Sequence, residues 1–146
     1  SKMSLNLLYL EFGGLKLDDS TKDELRTILL EVFQKNSQVL MISLTTPEGL
    51  PILTLNREST RSEILEISDT SITNRYAALA GASTSLGDRT LSTLSQEQVR
   101  LIHVQGKDRD VAIAVSPYLI SLVVTEPSGS PNLIAEKLNT GLKAKI

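Results

Sequence analysis

His103 is the only histidine in the sequence, and there is no cysteine. A single imidazole without thiols lacks the ligands of an ordinary zinc site, and thiol catalysis and disulfide frameworks are excluded outright. His103 alternates with Val99 and Leu101, which reads as a sheet-face position rather than as a base or ligand. Gly81-Ala82-Ser83-Thr84-Ser85 approaches the GxSxG nucleophile elbow but ends in Ser. Its setting is a helix, whereas that chemistry needs a strained strand-to-helix turn. No GxxxxGK[ST] loop is present to cradle a phosphate. Glu63 and Glu66 form a carboxylate pair of the type used in acid–base work, but they lie in a charged, solvated stretch. The expectation is a protein with no catalytic residues, no cofactor and no metal.

The totals narrow the class further. Fifteen basic residues against seventeen acidic ones give a net charge of −2. That balance lacks the clustered cations that nucleic acid demands, so no nucleic-acid partner is expected. Aromatic residues are only 3% of the chain, against 40% hydrophobic overall, so the core must be built from Leu, Ile, Val and Ala. The apolar run Leu5 to Phe12 is too short to span a bilayer and lacks the features of a signal peptide. A cytoplasmic protein is expected.

The elements that position these residues follow from periodicity. Residues 1–17 read as an N-terminal extension, with Leu5 to Phe12 as an extra strand; residues 18–146 read as one domain. Ser20 and Asp23 have capping-box spacing, and Leu25, Ile28, Leu29, Val32 and Phe33 then form one helical stripe ending near Asn36. Val39 to Thr46 and Leu50 to Leu55 read as strands around the turn Pro47-Glu48-Gly49. Asn56 to Ser68 reads as a connection. A second helix is expected from about Asp69 to Gly87, with Ile72, Tyr76, Leu79, Ser83 and Leu86 facing the core. Three strands follow, Val99 to Val104, Val111 to Val115 and Leu119 to Thr125. Ser130 and Pro131 then open a last helix with Ile134, Leu138 and Leu142 inward. The expected fold is α+β, a five-stranded antiparallel sheet sandwiched by helices in the order α-β-β-α-β-β-β-α.

That order, the hairpin Val39 to Leu53 (VLMISLTTPEGLPIL) and the closing stretch from Val111 to Leu138 (VAIAVSPYLISLVVTEPSGSPNLIAEKL) resemble the roadblock/dynein light chain family. The resemblance runs from about Ser20 to the C-terminus. It implies a non-enzymatic module that dimerises through its second helix and third strand, with itself or with another roadblock subunit, and scaffolds a small Ras-like GTPase. The alternative is a longin or profilin-like adaptor in membrane traffic or the cytoskeleton. The helix that precedes the first hairpin argues against a longin. In a GTPase-binding role Arg57, Arg61, Arg75 and Arg89 are the candidates for an arginine finger.

The second helix carries the most informative pattern. With Ile72 and Leu79 facing inward, Asn74, Gly81 and Asp88 lie opposite, flanked by Ala77, Ala78, Ala82 and Ser85. A small, mostly uncharged outer face suits the close approach of another backbone. The expected interface therefore comprises Asn74, Ala77, Ala78, Gly81, Ala82 and Ser85 on the helix, with Val99, Leu101 and His103 from the adjoining strand as the resemblance implies.

Overall fold

The computed structural model describes residues 18–57 and 63–143. The expected N-terminal strand Leu5 to Phe12, together with Arg61, lies outside the described residues.

The first helix, α1 (Asp19–Lys35), begins two residues earlier than the capping box suggested. Asp18, in extended backbone (φ −71, ψ 163), accepts a hydrogen bond from the Thr21 N–H at 2.7 Å. A carboxylate at this position satisfies an orphan donor and complements the helix dipole, so Ser20 falls inside the first turn. Asn36 is the C-cap, as the sequence indicated, and its side-chain amide donates to the Val32 carbonyl at 2.9 Å.

Strands β1 (Val39–Thr45) and β2 (Pro51–Arg57) form the first hairpin. Within the segment expected to be a plain connection, β3 (Ile64–Glu66) adds a sixth strand, pairing Leu55 with Glu66 and Arg57 with Ile64. Three residues are too few to display a period, so this strand has no periodic signature of its own. Helix α1 holds this edge: the Arg26 Nη2 is 2.8 Å from the Glu66 carboxylate, and Lys22 also approaches it.

Helix α2 (Thr70–Leu94) then crosses the sheet, followed by β4 (Leu101–Gln105), β5 (Asp110–Val115), β6 (Ile120–Thr125) and α3 (Pro131–Lys143). The strand order is β3-β2-β1-β6-β5-β4, antiparallel throughout. The long return from β2 to β4 leaves room for β6 to pair with β1 in the middle of the sheet.

Alternation along the strands creates two unequal cores. Leu53, Leu55, Ile42, Leu44, Ala112, Ala114 and Val123 meet Leu25, Leu29 and Phe33 of α1 and Ala135, Leu138 and Leu142 of α3. On the other face Met41, Ile113, Ile120 and Leu122 meet Ala80 of α2. Ile134, expected in the stripe of the last helix, is only partly buried, and Ala135 takes the inner position.

Arg57 ties the sheet to α1. Its Nε donates to the Val39 carbonyl at 2.9 Å, and its Nη2 donates to the carbonyls of Phe33 at 2.5 Å and Asn36 at 3.3 Å. The guanidinium also stands 5.4 Å from the centre of the Phe33 ring. The Phe33 and Asn36 carbonyls lie at the end of α1, so a fixed cation replaces partners the helix lacks there. Replacing Arg57 with Met, which keeps the stem and removes the charge, is expected to lower unfolding free energy by about 2 kcal/mol, read from a shift of the urea midpoint.

Helix α2 starts on Asp69, whose carboxylate accepts from the Ser71 hydroxyl at 2.7 Å and its N–H at 2.9 Å. Those bonds hold the Asp69 carboxyl below its ordinary value of 3.8. Because the folded value is the lower one, the contribution is complete above the unfolded value and disappears as pH falls through the folded one. The melting-temperature gap between the native chain and Asp69→Ala should therefore be constant near neutrality and narrow below pH 3.8. A gap that stays constant down to pH 2 would remove the carboxylate from this role (roughly two units covers such a titration).

Candidate interaction surface

Helix α2 lies on the sheet with its small residues inward. Ala77 and Ala80 have no exposed surface at all, and Thr73 is buried beside them. Leu79 is 54% exposed and Leu86 67%. The expected face is thus rotated: Leu79 and Leu86, assigned to the core, point to solvent, and Ala77, assigned to the outside, packs inward with Ala80, while Tyr76 keeps its contact with the sheet and Ala78 and Ala82 are exposed. The reason lies in the partner surface. Met41, Ile113, Ile120 and Leu122 already fill the sheet with bulk, and a helix bringing leucines to the same place would be held too far off to close the core.

Two glycines mark how close the approach is. A Cβ on Gly81 would lie 3.7 Å from the Gly49 Cα in the β1–β2 turn, where Gly49 adopts φ 93. A Cβ on Gly87 would lie 2.9 Å from the Val99 Cγ2. Gly87 is not the end of the helix. The chain continues helical for two more turns to Leu94, and Ser95 then caps it with its N–H on the Leu91 carbonyl.

The nine expected interface residues are accordingly dispersed. Ala77 and Val99 are buried within the chain, and the Val99 N–H donates to the Asp88 carboxylate at 2.7 Å. Neither offers surface to a partner, which corrects both assignments. Gly81 is half-buried and faces the hairpin turn rather than solvent. Asn74, Ala78, Ala82 and Ser85 are exposed. Leu101 is half-buried and packs toward the core beneath α1 and α3. His103 is exposed on β4, and its Nε2 is 4.0 Å from the buried Asp110 carboxylate. Among the described residues no group of three or more His, Cys, Asp and Glu side chains is placed to hold a metal.

Residues outside the expected set form a more coherent surface. Leu79 and Leu86 lie about 20° apart around the helix axis. Around the helix they stand roughly 60–100° from Tyr76, which packs against the Ile113 cluster, and from Gly87, which faces Val99, and so lie on the outer side of α2. Gly81, which faces the β1–β2 turn, marks the other flank. Among the described residues, strand β4 is a sheet edge, hydrogen-bonded to β5 alone. On the α2 side of the sheet it presents the partly buried Ile102 and Val104, which is 54% exposed. Exposed apolar side chains on α2 and a strand edge without a second partner among the described residues are thus both features of this chain. The i, i+7 repeat of Leu79 and Leu86 was visible in the sequence, but its direction depended on sheet residues distant in the chain.

The arginines are placed differently from one another. Arg57 is committed to the end of α1, and Arg75 and Arg89 are exposed on α2. No described helix is long and apolar enough to cross a membrane.

The pair of glycines gives a test with opposite signs. Gly81→Ala places its methyl at ordinary contact distance and gains up to about 1 kcal/mol of helix propensity. Gly87→Ala has the same propensity gain but drives its methyl into Val99, so its urea midpoint should fall below that of Gly81→Ala. Equal midpoints would show that α2 does not approach β4 this closely.

No family model matches the sequence, and a search of curated proteins returned no match. Solved structures do share the fold. "MglB with tetrameric arrangement" superposes with a TM-score of 0.71 at 12% identity, covering 90% of this chain and 93% of that one. Myxococcus xanthus MglB gives 0.69 at 10% identity, covering 89% and 92%. A roadblock/LC7 domain from Streptomyces avermitilis gives 0.63 at 14% identity, covering 81% and 93%. The architecture is therefore the roadblock/LC7 fold, with β3 as a sixth strand.

Proposed function

We propose that this roadblock-fold chain is a non-enzymatic scaffold that dimerises through α2 and β4 and regulates a small Ras-like GTPase in the cytoplasm. The observation that carries the dimer is the exposure of Leu79 and Leu86 on α2 in a chain whose β4 is an edge strand among the described residues. A two-fold axis beside that edge would pair β4 with β4 of a second copy and lay the two α2 helices together. Both demands would then be met at once: the edge backbone gains hydrogen bonds and the exposed leucines leave water. The tetrameric MglB arrangement among the fold relatives is consistent with a surface of this kind. The GTPase rests on the roadblock resemblance, joined to a chain whose described residues supply no cluster suited to metal chemistry. Fold alone does not fix a partner, so the partner needs its own measurement.

At micromolar concentration the chain is expected to run as a dimer by light scattering. Leu79→Asp with Leu86→Asp should yield a folded monomer by circular dichroism, because neither side chain contributes to the core. A monomeric native chain, or a dimer indifferent to both charges, would remove the α2–β4 interface. The immobilised dimer should capture a GTPase of the Ras-like class and show no nucleotide hydrolysis of its own. Turnover lost on His103→Ala, with the fold intact, would overturn the non-enzymatic reading.

A further inference from the structure

Helix α2 carries two arginines and a single acid. Arg75 and Arg89 are both exposed, whereas the acid, Asp88, accepts the Val99 N–H at 2.7 Å. At three and four residues to either side of each arginine, where a carboxylate could pair along the helix, the sequence has only Ser, Thr, Ile, Leu and Ala. The ion pairs among the described residues involve neither arginine. In a chain of net charge −2, both cations of α2 thus stand without a counter-charge from the described residues.

The arginines are spaced about the same centre as the exposed leucines. Arg75 and Arg89 are centred on residue 82, and Leu79 and Leu86 between residues 82 and 83. Around the helix axis the two arginines stand roughly 30° and 70° from the middle of the leucine pair, both on the same side of it. A two-fold axis that joins β4 to β4 in one continuous sheet is perpendicular to that sheet. It keeps both α2 helices on one face and runs them antiparallel. With Leu79 set against Leu86 of the partner subunit, Arg75 comes within roughly 1.5 Å of the level of the partner's Arg89. Both then occupy the same flank of the helix pair. Packed helices are about 8–10 Å apart, a gap that two arginine side chains can close. Symmetry repeats the arrangement roughly 21 Å along the helices.

We propose that each such pair, Arg75 with the partner's Arg89, is a binding site for a small phosphate-type oxyanion that strengthens the dimer. The inference rests on the α2 pairing proposed above, because one copy supplies only half of each site. Two guanidinium groups brought together repel, and an anion between them turns both contacts attractive. The chemistry favours phosphate over a single carboxylate. Each guanidinium is a planar fork that donates two parallel hydrogen bonds, so two forks ask for more acceptors than one carboxylate offers. A phosphate group has the additional oxygens and carries nearly two negative charges near neutrality.

Sedimentation equilibrium of the full chain, in phosphate and in chloride at equal pH and ionic strength, tests the site. Phosphate at its own dissociation constant should tighten the native dimer about fourfold, a factor of two from each site. In chloride, Arg75→Glu and Arg89→Glu should each tighten the dimer by roughly fivefold, since each replaces two like-charged contacts with two ion pairs. The double variant restores like charges across the interface. It should therefore return to about the native affinity in chloride and lose the response to phosphate. Both positions are exposed, and Glu suits a helix as well as Arg does. General salting-out by phosphate would act on the native chain and the double variant alike, so equal responses in the two would overturn the site. Single reversals that loosen the dimer or leave it unchanged would also overturn it. A native chain that stays monomeric would remove the dimer and the site together, whereas a stable dimer indifferent to the reversals would remove the site alone.

Discussion

The constraint on which the rest of this structure depends is the short distance between α2 and the sheet. Ala77, Ala80, Gly81 and Gly87 allow the helix backbone to settle onto strands that already carry Met41, Ile113 and Leu122. Bulk on the sheet requires its absence on the helix, because interiors are packed to crystal density and tolerate neither overlap nor voids. Once the small residues are committed inward, Leu79 and Leu86 have no inward position left. The exposed apolar shoulder is thus a consequence of close packing.

The two edges of the sheet are treated differently, and the contrast has the same physical basis. At one edge β3 is only three residues long, and Glu66 is engaged by Arg26 and Lys22. Short length and fixed charge are ordinary ways of discouraging further strand pairing. At the other edge β4 runs for five residues with Val104 outward and one polar neighbour pair, His103 and Asp110. Among the described residues nothing comparable blunts it. An edge left unprotected in a chain with exposed leucines on α2 is a place where addition of a strand is favourable, which is why the proposed assembly is built there and not at β3.

Much of the architecture was legible because it depended on local chemistry. The stripe Leu25, Leu29, Phe33 has a strong helical period and is buried as expected. Pro47-Glu48-Gly49 and the Gly106 turn punctuate the hairpins where backbone geometry demands it. The failures are of another kind. Asp18 displaced Ser20 as cap because two acceptors within one turn compete and sequence spacing alone did not rank them. Gly87 looked like a helix end, yet its lack of a side chain serves the contact with Val99, and the helix continues. The orientation of α2 was illegible from α2 itself. Its period is compatible with either face inward, and the deciding residues lie on β1, β5 and β6. The candidate site inherited that inversion. Val99 and Ala77 were assigned to it and are buried, while Leu79, Leu86 and Val104 were left out and are exposed.

Arg57 shows how the remaining polar chemistry is spent. It was a candidate for action on a bound partner, yet its guanidinium is engaged by the carbonyls of Phe33, Asn36 and Val39 and rests over an aromatic ring. Releasing it would leave the carbonyls at the end of α1 without their donor, so the fold holds it against any reach outward. Asp69 and Asp18 are likewise committed to helix starts. What remains available is shape: an apolar shoulder with an open edge on one sheet face, and an apolar groove between α1 and α3 on the other. In the proposed dimer the first surface is consumed by the second copy. The α1–α3 face would then be the broad surface left to a third component.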